Sequence, residues 1–160
     1  MHFKTIVATI DLDDDLAEGV VRVANSLAKK EGAALHIASA WPLISTITPT
    51  FSAEVAASSA VISQAVIDQH KEGRKKSEEA LSSLLDRLAP DAKPVILDGE
   101  PADAVVDYAN EIDADLIVTG SHQRSFWDTL FQGSASRELV KEAPCAVLLV
   151  TKNCAAKAGA

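Results

Sequence analysis

Aromatic residues make up only 4% of this 160-residue chain, cysteine occurs twice, and basic residues are outnumbered 15 to 23 by acidic ones. Each scarcity removes a class of protein. At a formal charge of −8 the chain lacks the cationic surface that neutralises a phosphate backbone, so nucleic acid is not expected as a partner. Cys145 and Cys154 show neither metal-ligand spacing nor a redox motif, which fits a reducing, cytoplasmic setting. No apolar run reaches the roughly 20 residues that span a bilayer. Met1-His2-Phe3-Lys4 opens directly into a strand-like segment rather than a signal peptide, so no membrane association is expected.

What remains is an ordinary globular mixture, 48% hydrophobic and 24% charged. One domain over residues 1–152 and a disordered tail over 153–160 are expected. Strand-like segments rich in branched aliphatics run from Lys4 to Ile10, Ala34 to Ala40, Pro94 to Asp98, Asp115 to Thr119 and Ala146 to Thr151. Continuous apolar runs such as Ala146-Val147-Leu148-Leu149-Val150 suit a parallel sheet covered on both faces.

Helical patterns lie between the strands. Asp14 to Lys30 places Leu16, Val20, Val23, Ala24, Leu27 and Ala28 on one face, with Asp13 as expected N-cap and Gly32 as the stop. A long helix over about Ser59 to Leu88 packs through Ala80, Leu81, Leu84, Leu85 and Leu88 and ends before Pro90. Pro101 starts another, and Ser134 to Lys141 forms the last. This alternation predicts a doubly wound α/β fold with right-handed crossovers. The weakly charged stretch from Pro42 to Ser59 is read as a loop over the ligand face.

The richest segment follows the fourth strand: Thr119-Gly120-Ser121-His122-Gln123-Arg124, then Gly133-Ser134-Ala135-Ser136. Glycine at a strand end lets the backbone turn, and a Gly-Ser pair at a helix start leaves N–H groups free with the positive end of the helix dipole behind them. Such a place binds anions, so a nucleotide phosphate site is expected there. Gly120 and Gly133 also serve as plain turn residues on a blander view, and Ser134 as a simple N-cap. Arg124 and His122 sit where they would meet phosphate, although an exposed loop position accounts for His122 equally.

Other clusters yield less. From Asp11, a calcium loop needs glycine at its sixth place and glutamate at its twelfth, where this chain has Leu16 and Arg22. Asp11-Leu12-Asp13-Asp14-Asp15 therefore reads as the acidic entry to a helix. Phe126, Trp127, Leu130 and Phe131 form an apolar patch expected to pack over the sheet, with a partner surface as the alternative. Trp41 ends the second strand, within reach of the base or its covering loop. His36 is expected to be satisfied within the fold. No nucleophile and base stand together, and nothing is placed to orient an attacking water, so no enzymatic activity is expected.

In order and spacing these segments resemble the universal stress protein family over nearly the whole chain. Its ATP-binding members carry glycine, two residues, glycine, nine residues, then glycine with serine or threonine. Here Gly120 and Gly133-Ser134 match, while Gln123 stands where the second glycine belongs. Ile6-Val7-Ala8-Thr9-Ile10-Asp11 and Ala143-Pro144-Cys145-Ala146-Val147-Leu148-Leu149-Val150 are similar to the family's first and last strands.

The resemblance implies a five-stranded parallel sheet of order 3-2-1-4-5 and ATP or AMP above strands 1 and 4. Asp11 and Ile10 would line adenine and ribose, Ala40 would close the base pocket, and Thr119 and Gly120 would begin the phosphate loop. Gly133, Ser134 and Ala135 would give N–H groups to the phosphates. Any Mg2+ would be held through phosphate oxygens and water. The resemblance also implies a homodimer through strand 5 (Val147, Leu148, Leu149, Val150), an apolar edge that would otherwise invite association. A regulatory role read by an unknown protein partner follows. The alternative is a member that lost nucleotide through Gln123 and serves as a dimeric interaction module.

Overall fold

A computed structural model of the chain describes residues 2–43, 59–120 and 143–159, with side chains in the second stretch described from residue 64. Its elements, numbered over those residues, are β1 (Thr5–Thr9), α1 (Ala17–Glu31), β2 (Ala34–Trp41), α2 (Ser59–Leu88), β3 (Lys93–Asp98), α3 (Pro101–Glu111), β4 (Leu116–Gly120), β5 (Ala146–Val150) and α4 (Lys152–Gly159). The strands form one parallel sheet in the order β3-β2-β1-β4-β5, as the resemblance implies.

Burial explains the apolar runs. Ile6-Val7-Ala8 and Leu116-Ile117-Val118 are at most 3% exposed, because helices cover both faces of the central strands. Successive side chains alternate between two cores. Ile6, Ala8, Leu35 and Ile37 pack with α1 and with Leu81 and Leu85 of α2. Val7, Ala38 and Ile117 pack on the other side with Ala102, Val105 and Ala109 of α3. Ala80, expected in the packed stripe of α2, is exposed instead. It lies about 100° around the helix from Leu81, past the edge of the buried face.

Helix ends follow backbone chemistry. Gly32 closes α1 at φ 68°, the left-handed conformation that glycine adopts without strain. The start of α1 differs from expectation: the helix begins at Ala17, and Asp13 is not its cap. Leu16 holds the cap position without a side-chain cap bond, and Asp14 folds the turn before it, its Oδ1 accepting the Leu16 N–H at 2.7 Å and its C=O accepting the Ala17 N–H at 3.0 Å. Pro101 occupies the first turn of α3 after an extended Glu100.

The segment read as a disordered tail is helical. Thr151 Oγ1 accepts the Cys154 N–H at 3.3 Å, an N-cap bond, and Ala155 joins the core beside α1. An alanine-rich sequence has high helix propensity, and a docking face holds it. Because α4 lies on α1, it leaves the β5 edge uncovered: Val147, Leu148 and Leu149 are 43%, 37% and 40% exposed. Val150, read as part of that pairing edge, is fully buried. No helix among the described residues is long and apolar enough to cross a membrane.

Candidate functional site

The carboxyl ends of β1 and β4 lie side by side at the centre of the sheet, with Thr9 opposite Thr119. Here the crossovers leave in opposite directions, and open α/β sheets form their ligand crevice at such a switch point. Thr9 and Thr119 are 2% and 0% exposed, so they lie beneath the place where such a crevice opens and would be its floor.

Three expected residues rim that floor. Ile10 is 2% exposed and its side chain belongs to the core under α1, so its backbone is what lies at the crevice. Its N–H donates to the Ala38 C=O at 2.9 Å. Ala40 stands two residues further along β2, beyond the last paired residue of β1, so its corresponding backbone edge extends past the end of β1. Asp11 is exposed and begins the turn into α1; its Oδ1 accepts the Asp13 N–H at 3.0 Å and its C=O the Asp14 N–H at 3.0 Å. The carboxylates of Asp11 and Asp14 thus help fold the helix entry, each accepting a local N–H.

Gly120 ends β4 opposite Val150. Its backbone is not left-handed, so turning freedom is not why glycine stands there. Space is the reason: a Cβ would lie 3.2 Å from Val20 Cγ2 and 3.6 Å from Leu16 Cβ of α1. His122, Gln123, Arg124, Gly133, Ser134 and Ala135, with the apolar patch, the Ser134–Lys141 helix and most of the expected covering loop, lie outside the described residues.

Trp41 points away from Ala40, onto α2. Its indole faces Gly73, where a Cβ would come within 2.9 Å of Cη2, and its ring centroid is 5.4 Å from that of His70. His70 Nε2–H donates to the Pro42 C=O at 2.7 Å, tying the end of β2 to α2. Sequence reasoning missed this seat; a glycine inside a helical pattern was the available signal.

Titratable groups elsewhere have structural partners. His36 meets the Tyr108 hydroxyl at 2.8 Å, and burial, then Lys93, push its pKa down. Burial pushes the Cys145 thiol up, which keeps it protonated and unreactive. Among the described residues no group of three or more His, Cys, Asp or Glu could hold a metal ion.

The sequence profile of the universal stress protein family matches residues 2–151. The chain belongs to the universal stress protein family. It is 32% identical over 148 residues to the "universal stress protein in QAH/OAS sulfhydrylase 3'region" of Thermus aquaticus, covering 92% of this chain and 98% of that one. Among solved structures, a universal stress protein in complex with cAMP shares the fold with a TM-score of 0.63 at 24% identity, covering 94% of this chain and 98% of its own. The universal stress protein from Archaeoglobus fulgidus in complex with dAMP has a TM-score of 0.54 at 23% identity, covering 93% and 98%. At that identity the structural likeness speaks for the fold, and family membership rests on the sequence.

Proposed function

We propose that this universal stress protein binds an adenine nucleotide, ATP or AMP, in the crevice above β1 and β4, and acts as a homodimeric regulator rather than as an enzyme. The observation that carries this is the juxtaposition of Asp11, Ala40 and Gly120 around the Thr9–Thr119 floor, at the switch point of the sheet. Two structures of the same fold hold cAMP and dAMP, which supports adenine as the base. The backbone edge of Ala40 that extends past β1 suits the hydrogen-bonding edge of a base, and Asp11 suits the ribose. The phosphates would run toward Gly133, Ser134 and Ala135, with Arg124 and His122 supplying charge and any Mg2+ riding on phosphate oxygens. A cytoplasmic location accords with a site for cellular nucleotides.

Mass spectrometry of small molecules released from freshly purified, denatured protein tests the ligand. An adenine nucleotide in the extract is expected. Its absence, together with a melting temperature unmoved by millimolar ATP and magnesium, would sink the proposal, since a ligand bound only to the folded state must stabilise it.

A specific observation favours the second reading, a nucleotide-free dimeric interaction module: Gln123 replaces a family glycine. Both readings use the exposed β5 edge for pairing with a second copy. Leu149→Lys should turn a dimer into a monomer in light scattering; an unaltered mass would remove β5 from the interface.

A further inference from the structure

Glycine within a helix costs about 1 kcal/mol against alanine, so Gly19, in the first turn of α1, needs a reason. A Cβ built there would overlap the Cβ of Ala155, which α4 brings against it. Only a bare position 19 lets the two helices meet so closely.

That turn of α1 also bears on both sides of the crevice. Leu16 and Val20 pack closely over Gly120, so that a Cβ there would lie 3.2 Å from Val20 Cγ2. Hydrogen bonds run back from the same turn to Asp11: Ala17 N–H to Asp14 C=O at 3.0 Å, Leu16 N–H to Asp14 Oδ1 at 2.7 Å, and Asp14 N–H to Asp11 C=O at 3.0 Å. Ala155 therefore presses on the single turn that places Asp11 and Gly120.

The pressing element has two states available. α4 has eight residues, and all of them except Ala155 are exposed. A helix so short does not persist in water without a docking face, so α4 is helical when seated on α1 and frays when released.

We infer that α4 is a positioning helix for the crevice, fixing Asp11 and Gly120 when docked and loosening both when released. Granted the nucleotide site proposed above, linkage makes the effect reciprocal: bound nucleotide holds α4 in its seat.

The test uses two full-length variants. Gly19→Ala adds the overlapping Cβ while raising the helix propensity of α1, so a glycine unrelated to the seat of α4 would give equal or better behaviour. Ala155→Asp places a charge in the seat and leaves α1 untouched. Both should speed hydrogen exchange of the amides over residues 11–16 and weaken ATP binding about five-fold or more. In the parent protein ATP should slow exchange over residues 152–159. Unchanged exchange over residues 11–16 in both variants overturns the inference, with or without nucleotide. So does unchanged ATP affinity in both where the parent binds. Should the parent bind no ATP, the nucleotide proposal falls, while faster exchange over residues 11–16 still supports the positioning role.

Discussion

At the amino end of the sheet, side chains consume the backbone groups that the strands leave over. Asp115 accepts the N–H groups of Lys4 and Thr5 at 2.7 and 2.9 Å, and Glu31 accepts the Phe3 N–H at 3.3 Å while meeting His2 Nδ1 at 3.0 Å. At the carboxyl end β2 runs on past β1, and the adjoining residues are small: Ala40, Gly120 and the Thr9–Thr119 pair. The contrast separates the end closed for stability from the end where the proposed site lies. One end is closed by carboxylates that reach back to the chain; the other is lined by small residues. Conserving space at one end and sealing the other divides the work, as open α/β sheets require.

The largest effect should come from filling the open end. Gly120→Val forces α1 off the sheet, an overpacking worth about 1–3 kcal/mol, and displaces the first residue of the expected phosphate loop. Its melting temperature should drop and its ATP affinity fall more than about tenfold. Calorimetric titration at a temperature where the variant is folded checks this; full affinity would detach Gly120 from the site.

A smaller effect is expected at the sealed end, and on stability only. The two backbone N–H bonds hold the Asp115 carboxyl below its ordinary 3.8. A carboxyl depressed in the fold stabilises above its ordinary value, and that contribution fades as pH falls through it. Asp115→Asn should lower the melting temperature at neutral pH, lose less on acidification than the parent, and bind ATP unchanged when folded. A drop in affinity equal to that of Gly120→Val would erase the contrast between the ends.

The smallest effect concerns His36, a half-buried residue of β2 that meets the Tyr108 hydroxyl. Burial, then Lys93, hold its ring below the ordinary 6.5, so the unfolded chain takes up a proton that the fold refuses. Stability should be full above pH 6.5 and decline as pH is lowered through that value. Melting curves of His36→Phe should flatten that decline; an identical slope would assign it to other groups.

Much of this was legible in the chain. Runs such as Ile6-Val7-Ala8 can be buried only between two helical layers, and Pro101 and Gly32 mark helix limits through fixed and left-handed φ. Each strand was placed to within one residue at either end. Local signals did worse at the entry to α1: Asp13 reads as the cap in sequence, yet Leu16 holds that position with no side-chain cap bond, and Asp14 binds the Leu16 N–H from the turn before it. They failed at α4, because a short alanine-rich segment is helix or coil according to whether a neighbour offers a seat. At Gly120 the sequence suggests turning freedom, but the reason for a glycine there lies in Leu16 and Val20, a hundred or more positions away in the chain.

From the order of residues alone came the strands, the helices and the layers they form, because period, caps and turn residues act over a few neighbours; the strand order came from the family resemblance. Family membership came the same way, from motifs held at fixed spacing. Only the folded molecule decided why positions 19, 73 and 120 are bare and where α4 rests. Those depend on contacts between segments that meet only after the sheet has assembled, and no local preference encodes the distance between them.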